Sequence, residues 1–220
     1  MAESIADGIR RQLREHAHQQ IDADGHPLGW FNNEEGAFYC AAVERHPKGV
    51  LVELGVHLGR SLSYVLESCR CLGFTVFAVD MWIDVVPDEI DERTHWRGGV
   101  HRWQRFNENL KAMGGEGYVN VLRMDSIDAA NNFKNESVDV IFIDTLHTYE
   151  HTKGELEAWW PKLKAGGEML GHDYNDANPG LMKAVDERFG KPDVVACGSM
   201  WLVEKHDPVP VLLTEGCVLN

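Results

Sequence analysis

The sequence is short of basic residues, without paired cysteine spacings and without any long apolar run, and each absence excludes something. Its 220 residues carry 21 Lys and Arg against 35 Asp and Glu, a formal net charge of −14. Such a field repels phosphate backbones and anionic headgroups, so neither nucleic acid nor a membrane surface is an expected partner, whereas a divalent cation is tolerated. No apolar stretch approaches the roughly 18 residues that span a bilayer. The stretch from Glu3 to Gln20 is charged and polar, without the apolar centre of a signal peptide. The five cysteines, Cys40, Cys69, Cys71, Cys197 and Cys217, fit neither a disulfide framework nor a zinc site. Reduced thiols in a cytoplasmic protein are the expectation. The G-x-G-x-x-G dinucleotide fingerprint is also missing, which argues against a nicotinamide dehydrogenase.

What is present is an ordinary globular composition, 44% hydrophobic and 25% charged, and it excludes a disordered or collagen-like chain. Residues 1–20 read as a charged helix. Glu34 to His46 reads as a second helix, preceded by Asn33 and ended by Pro47 and Gly49. Together they make an N-terminal helical segment over 1–48, a substrate cap or a dimer contact. From 49 to 220 the pattern becomes one of strands and helices in turn. Short apolar runs at Val50–Leu54, Thr75–Val79, Val119–Leu122, Val138–Ile143 and Glu168–Gly171 alternate with helices at Ser61–Cys71, 99–113, 148–164 and 178–189. Two closely spaced runs, Val194–Cys197 and Met200–Val203, close the pattern. Unalternating apolar strands are covered on both faces, and their alternation with helices predicts an α/β fold with a mostly parallel sheet. The last two strands predict an antiparallel edge, for a seven-stranded Rossmann-like sheet with helices on both faces.

In such sheets the chemistry sits at the carboxyl ends of the strands. Glu53, Asp80, Asp125, Asp144 and the pair His172-Asp173 all fall there. Asp80 ends the second strand, where a carboxylate can accept hydrogen bonds from ribose hydroxyls.

Taken in order, Val52-Glu53-Leu54-Gly55 with Gly59, Ala78-Val79-Asp80-Met81-Trp82, Met124-Asp125-Ser126, Ile143-Asp144 with His147 and Tyr149, and Gly171-His172-Asp173-Tyr174 resemble the S-adenosylmethionine-dependent class I methyltransferases. The similarity is to the small metal-dependent branch that includes macrolide-sugar and polysaccharide O-methyltransferases, and it spans about residues 49–190. His57 stands where the commoner E-x-G-x-G-x-G pattern has its middle glycine. The resemblance implies that Glu53, Gly55, Gly59 and Ser61 border the methionine part of S-adenosylmethionine and that Asp80 holds the ribose. Trp82 would flank the adenine or anchor its loop, and Asp125 and Ser126 would border the adenine.

The resemblance further implies one acid after the fourth strand and a polar–acid pair after the fifth as metal ligands, here Asp144, His172 and Asp173; His172 departs from the usual carboxylate or amide there and is a ligand or, instead, orients Asp173. Adjacent strand ends lie about 5 Å apart, so these side chains can converge on one ion. Carboxylates suit Mg2+, and a histidine among the ligands favours Mn2+ or another softer ion. His147 fits a general base that deprotonates an acceptor hydroxyl. Tyr149, with Asp22 and Asp24 in the early turn, are candidates for substrate contact. His151, one turn after His147, reads as solvated, and the acid-rich stretch from Asp84 to Arg97, with Trp96, reads as a lid. The expected activity is O-methylation of a sugar or glycoside-like small molecule or oligosaccharide by a homo-oligomer, a dimer. The rival readings are a catechol-type or N-methyltransferase, a dehydrogenase, and a non-catalytic binding protein on the same fold.

Overall fold

The computed structural model describes residues 25–27, 29–83 and 102–206. The expected helix over 1–20, Asp22 and Asp24, the stretch with Trp96, the first residues of the helix expected from 99, and Cys217 lie outside them.

Helix α1 (Asn33–Glu44) is followed by β1 (Val50–Leu54), α2 (Arg60–Leu72), β2 (Thr75–Asp80), α3 (Arg102–Ala112) and β3 (Val119–Arg123). A single turn, α4 (Ser126–Ala129), precedes β4 (Val138–Ile143), α5 (Tyr149–Trp159), β5 (Leu163–Gly171), α6 (Pro179–Phe189), β6 (Val194–Ala196) and β7 (Met200–Glu204). The seven strands form one sheet in the order β3-β2-β1-β4-β5-β7-β6. The first five are parallel, while β7 is antiparallel to both β5 and β6. The sheet is therefore the mixed, antiparallel-edged one that the sequence predicts.

Every residue of β4 is buried, which its unbroken Val-Asp-Val-Ile-Phe-Ile run requires of a central strand. Leu51, Phe142 and Leu170 belong to the core on the side of α1, α2 and α3, where Tyr39, Leu62 and Phe106 pack. Val52, Ile141 and Met169 belong to the opposite core, with Leu156, Trp159 and Val185 from α5 and α6.

Two boundaries differ from expectation. Asn32, not Asn33, caps α1: its side chain accepts from the Glu34 and Glu35 amides while Glu35 returns a bond to the Asn32 amide. The helix expected over 148–164 ends at Trp159 and tightens to a 3-10 turn over Trp160–Lys162. Pro161 lacks the amide hydrogen that a continuing helix needs. The fifth strand consequently starts at Leu163, opposite Val138, and its register with β4 shifts before Glu168 pairs with Val140.

Candidate active site

A cleft of about 950 Å³ opens at the carboxyl ends of β1, β2, β4 and β5. Its floor depends on Gly55. This residue has φ +83°, and a Cβ on it would lie 1.9 Å from the Asp144 carbonyl oxygen. Only glycine lets the loop after β1 press against the loop after β4 in this conformation.

Asp80 latches two loops. Its Oδ2 accepts from the His57 amide at 2.9 Å and its Oδ1 from the Trp82 amide at 2.7 Å. Asp80 still faces the cleft, as do Asp125 and Ser126 across it. Asp125 caps α4 by accepting from the Ile127 and Asp128 amides. Ser126 does not cap; its hydroxyl donates to the fully buried Glu155 at 2.5 Å.

Four expected cofactor residues sit behind the cleft wall. Glu53 is fully buried and accepts from the Ser61 hydroxyl at 2.6 Å and the Tyr39 hydroxyl at 3.1 Å. Burial pushes the Glu53 carboxyl up to about 8, against the pull of those two hydrogen bonds and with help from the charges of Asp144 and Asp80. Gly59, φ +87°, is the N-cap of α2, below the rim. Trp82 corrects the expectation that it flanks the adenine. Its ring is 1% exposed and stacks on Phe106 at 4.4 Å, and its Nε1 donates to the His57 carbonyl at 2.7 Å. The aromatic face supplied by α3 draws it into the core.

Three chemical groups meet at the other end of the cleft. One oxygen each of Asp144 and Asp173 and one imidazole nitrogen of His147 all lie within 4.8 Å of one another. His147 Nε2 is 3.1 Å from Asp173 Oδ2 and 3.6 Å from Asp144 Oδ1. It is buried, yet makes no well-directed hydrogen bond to either. The Asp144 carboxylate raises the His147 imidazole above its ordinary value; burial opposes the shift and Asp173 adds to it. Thr148 caps α5, its hydroxyl accepting from the His151 amide. Two carboxylates and an orphaned imidazole nitrogen fit a divalent cation or its bound water.

His172, expected as a ligand or as an orienter of Asp173, is not one of these three. Its Nε2 is turned to Glu35 Oε1 at 3.0 Å, and its Nδ1 lies 3.3 Å from Asp173 Oδ2 and 4.0 Å from Asp144 Oδ2. Burial alone would depress its imidazolium. The hydrogen bonds to Asp173 and Glu35 and the charges of Asp144 and Asp173 outweigh burial and push it up to about 10. Tyr149 stands away from the cleft, its hydroxyl donating to Glu187 at 2.5 Å on the outer face of α5 and α6.

Sequence reasoning did not single out several cleft residues. Within the segment expected to be a substrate cap or a dimer contact, Trp30, Phe31 and Asn32 roof the cleft, and Glu35 follows from the first turn of α1. His151 is not solvated; it lines the cleft, with Nε2 3.2 Å from Glu155 Oε1 and 3.3 Å from the Ser126 hydroxyl. Thr145 donates to the same Glu155 carboxylate. Glu155 is an acid yet fully buried in α5, and only its burial marks it.

A model described as a methyltransferase domain matches residues 52–174. The protein y4gI of Sinorhizobium fredii, named as uncharacterized, is 29% identical over 127 residues, 56% of this chain and 13% of its own length. The chain thus spans a small part of that relative. The apo structure of CalS11, a TDP-rhamnose 3'-O-methyltransferase, is similar with a TM-score of 0.58 at 16% identity, covering 94% of this chain and 97% of that one. The O-methyltransferase from Bacillus cereus in complex with SAH is similar with a TM-score of 0.56 at 17% identity, covering 93% of each. At these identities the likeness is one of fold.

Proposed function

The chain belongs to the methyltransferase domain family, and from that membership we propose that it transfers the methyl group of S-adenosylmethionine to a hydroxyl oxygen of a small molecule, assisted by a divalent cation. The observation that carries this reading is the convergence of Asp144, His147 and Asp173 in the cleft. An alkyl or sugar hydroxyl is a poor nucleophile at neutral pH, and a cation bound there lowers its pKa and orients it. Asp144 and Asp173 would hold the cation, Mg2+ or Mn2+; Mg2+ commonly takes only one or two carboxylates from the protein. His147 receives the hydroxyl proton on Nε2. The hydroxyl oxygen then bonds to the methyl carbon, the carbon–sulfur bond breaks, and its electron pair stays on sulfur as S-adenosylhomocysteine.

Gly55 and Asp80 would border the cofactor, Asp80 on the ribose side and Asp125 and Ser126 on the adenine side. Trp30 is 43% exposed at the roof and offers a face on which a sugar ring can stack. That feature, with the sugar substrate in the name of CalS11, supports a sugar or glycoside-like acceptor. The net charge of −14 favours a small molecule over a nucleic acid or an anionic membrane. Free thiols at Cys40, Cys69, Cys71 and Cys197 favour a reducing compartment such as the cytoplasm.

The spacing of the three groups also favours a second reading, in which His147 is a third ligand to a softer ion. Mn2+ binding by a His147→Ala variant separates the two. A base leaves the affinity near that of the wild type, and a ligand lowers it sharply. Production of S-adenosylhomocysteine across a panel of glycosides, catechols and amines, with and without chelator, tests the reaction class. Chelator-insensitive turnover, or turnover confined to amines, contradicts the proposal.

A further inference from the structure

We infer that Glu35 is a positioning residue for the cation group, acting through His172. The inference rests on the cation reading above.

Glu35 lies in the first turn of α1, far from the sheet in sequence, and is only 6% exposed. Capping accounts for one of its oxygens: Oε2 accepts from the Asn32 amide at 2.8 Å. The other oxygen, Oε1, crosses to His172 Nε2 at 3.0 Å, joining residues 137 positions apart. The opposite ring nitrogen of His172 faces Asp173. With a carboxylate on each nitrogen, rotating the ring would break two charge-assisted contacts in a buried place. Phe31, with its ring 5.6 Å from that of His172, closes another side.

What this fixes is Asp173. Its φ of +63° lies in the left-handed region, uncommon for a residue with a side chain although aspartate enters it more readily than most. The Asp173 Oδ2 that lies near His172 is the same oxygen that lies 3.1 Å from His147 Nε2. The order Glu35, His172, Asp173 thus runs from the roof of the cleft to the cation group. Outer partners that orient a ligand in this way commonly account for 10- to 100-fold in metal affinity.

The test is a double-variant cycle read by Mn2+ affinity, measured from the electron paramagnetic resonance signal of free Mn2+ over chelator-treated protein. Glu35→Ala and His172→Ala should each raise the Mn2+ Kd about 10- to 100-fold. The double variant should bind no worse than His172→Ala alone, because Glu35 acts only through that ring. A merely structural Glu35 would instead leave the Kd unchanged or add its loss to that of His172→Ala, and either result overturns the inference. If Glu35→Ala does not fold, Glu35→Gln takes its place in the cycle. Its amide preserves capping but supplies one acceptor for two donors, so a smaller loss with the same non-additive pattern is expected. A wild-type protein that binds no Mn2+ overturns the cation reading and this inference with it. A wild type that binds, beside an unaffected Glu35 variant, overturns this inference alone.

Discussion

His147 Nε2 lies 3.1 Å from Asp173 Oδ2, although one residue follows β4 and the other follows β5. The parallel pairing of Ile143 with Gly171 at the ends of those strands brings them together. A base and a ligand candidate in such contact should be separable by substitution. His147→Ala is expected to keep Mn2+ and S-adenosylhomocysteine affinity while losing roughly 10²–10⁴-fold in kcat, the usual range for general-base removal. Equilibrium titrations alongside initial rates check it.

Asp80 serves the loops after β1 and β2 at once, through the His57 and Trp82 amides. Asp80→Ala should therefore weaken S-adenosylhomocysteine binding by about 10- to 100-fold, the worth of a lost hydrogen bond to a charged group. It should also lower Tm, because two partly buried amides lose their acceptor. Asp80→Asn, which keeps one acceptor, should fall between. Calorimetric titration and thermal melts on the same samples distinguish loss of a ribose contact from loss of the latch.

Gly55→Ala should disable the cleft from its floor. The positive φ alone costs on the order of 1–3 kcal/mol for a residue with a side chain, and the added carbon would meet the Asp144 carbonyl. Relief requires moving Asp144, so Mn2+ and S-adenosylhomocysteine affinities should fall together. Retention of both in a folded variant would show that the loop yields elsewhere.

Glu53 should make stability depend on pH. Buried in the fold it releases its proton near 8, whereas in the unfolded chain it does so near the ordinary glutamate value. Between those values the folded state holds the extra proton, so its contribution is complete at acidic pH and is lost as pH rises toward and through 8. Glu53→Gln keeps the shape and removes the titration. The difference in unfolding free energy between wild type and Glu53→Gln, measured in urea from pH 5 to 9, should drift against the wild type by on the order of a few kcal/mol.

Much of this arrangement was legible in the sequence for simple reasons. Unbroken apolar runs located the parallel strands, and the polar residues after them, Asp80, Asp125, Asp144 and Asp173, do face the cleft. How the His172 ring is placed was not legible, because its Nε2 is turned to Glu35, a contact across 137 residues that no local spacing encodes. Trp82 has the same ambiguity: a tryptophan after a strand can face a ligand or the core, and the core face came from Phe106 and Trp103 on α3. His151 looked solvated because its partner, Glu155, is an acid on a helix, and the complete burial of Glu155 is a tertiary fact.

The central claim is that Asp144 and Asp173 hold a divalent cation beside the cofactor. Mn2+ titration of chelator-dialysed protein, paired with S-adenosylhomocysteine binding, tests it without knowledge of the acceptor. The account predicts one Mn2+ per chain in the wild type, loss of that site in Asp144→Ala and in Asp173→Ala, and cofactor-product affinity largely intact in both. A wild type that binds no Mn2+, or variants that bind it as well as the wild type, would contradict it.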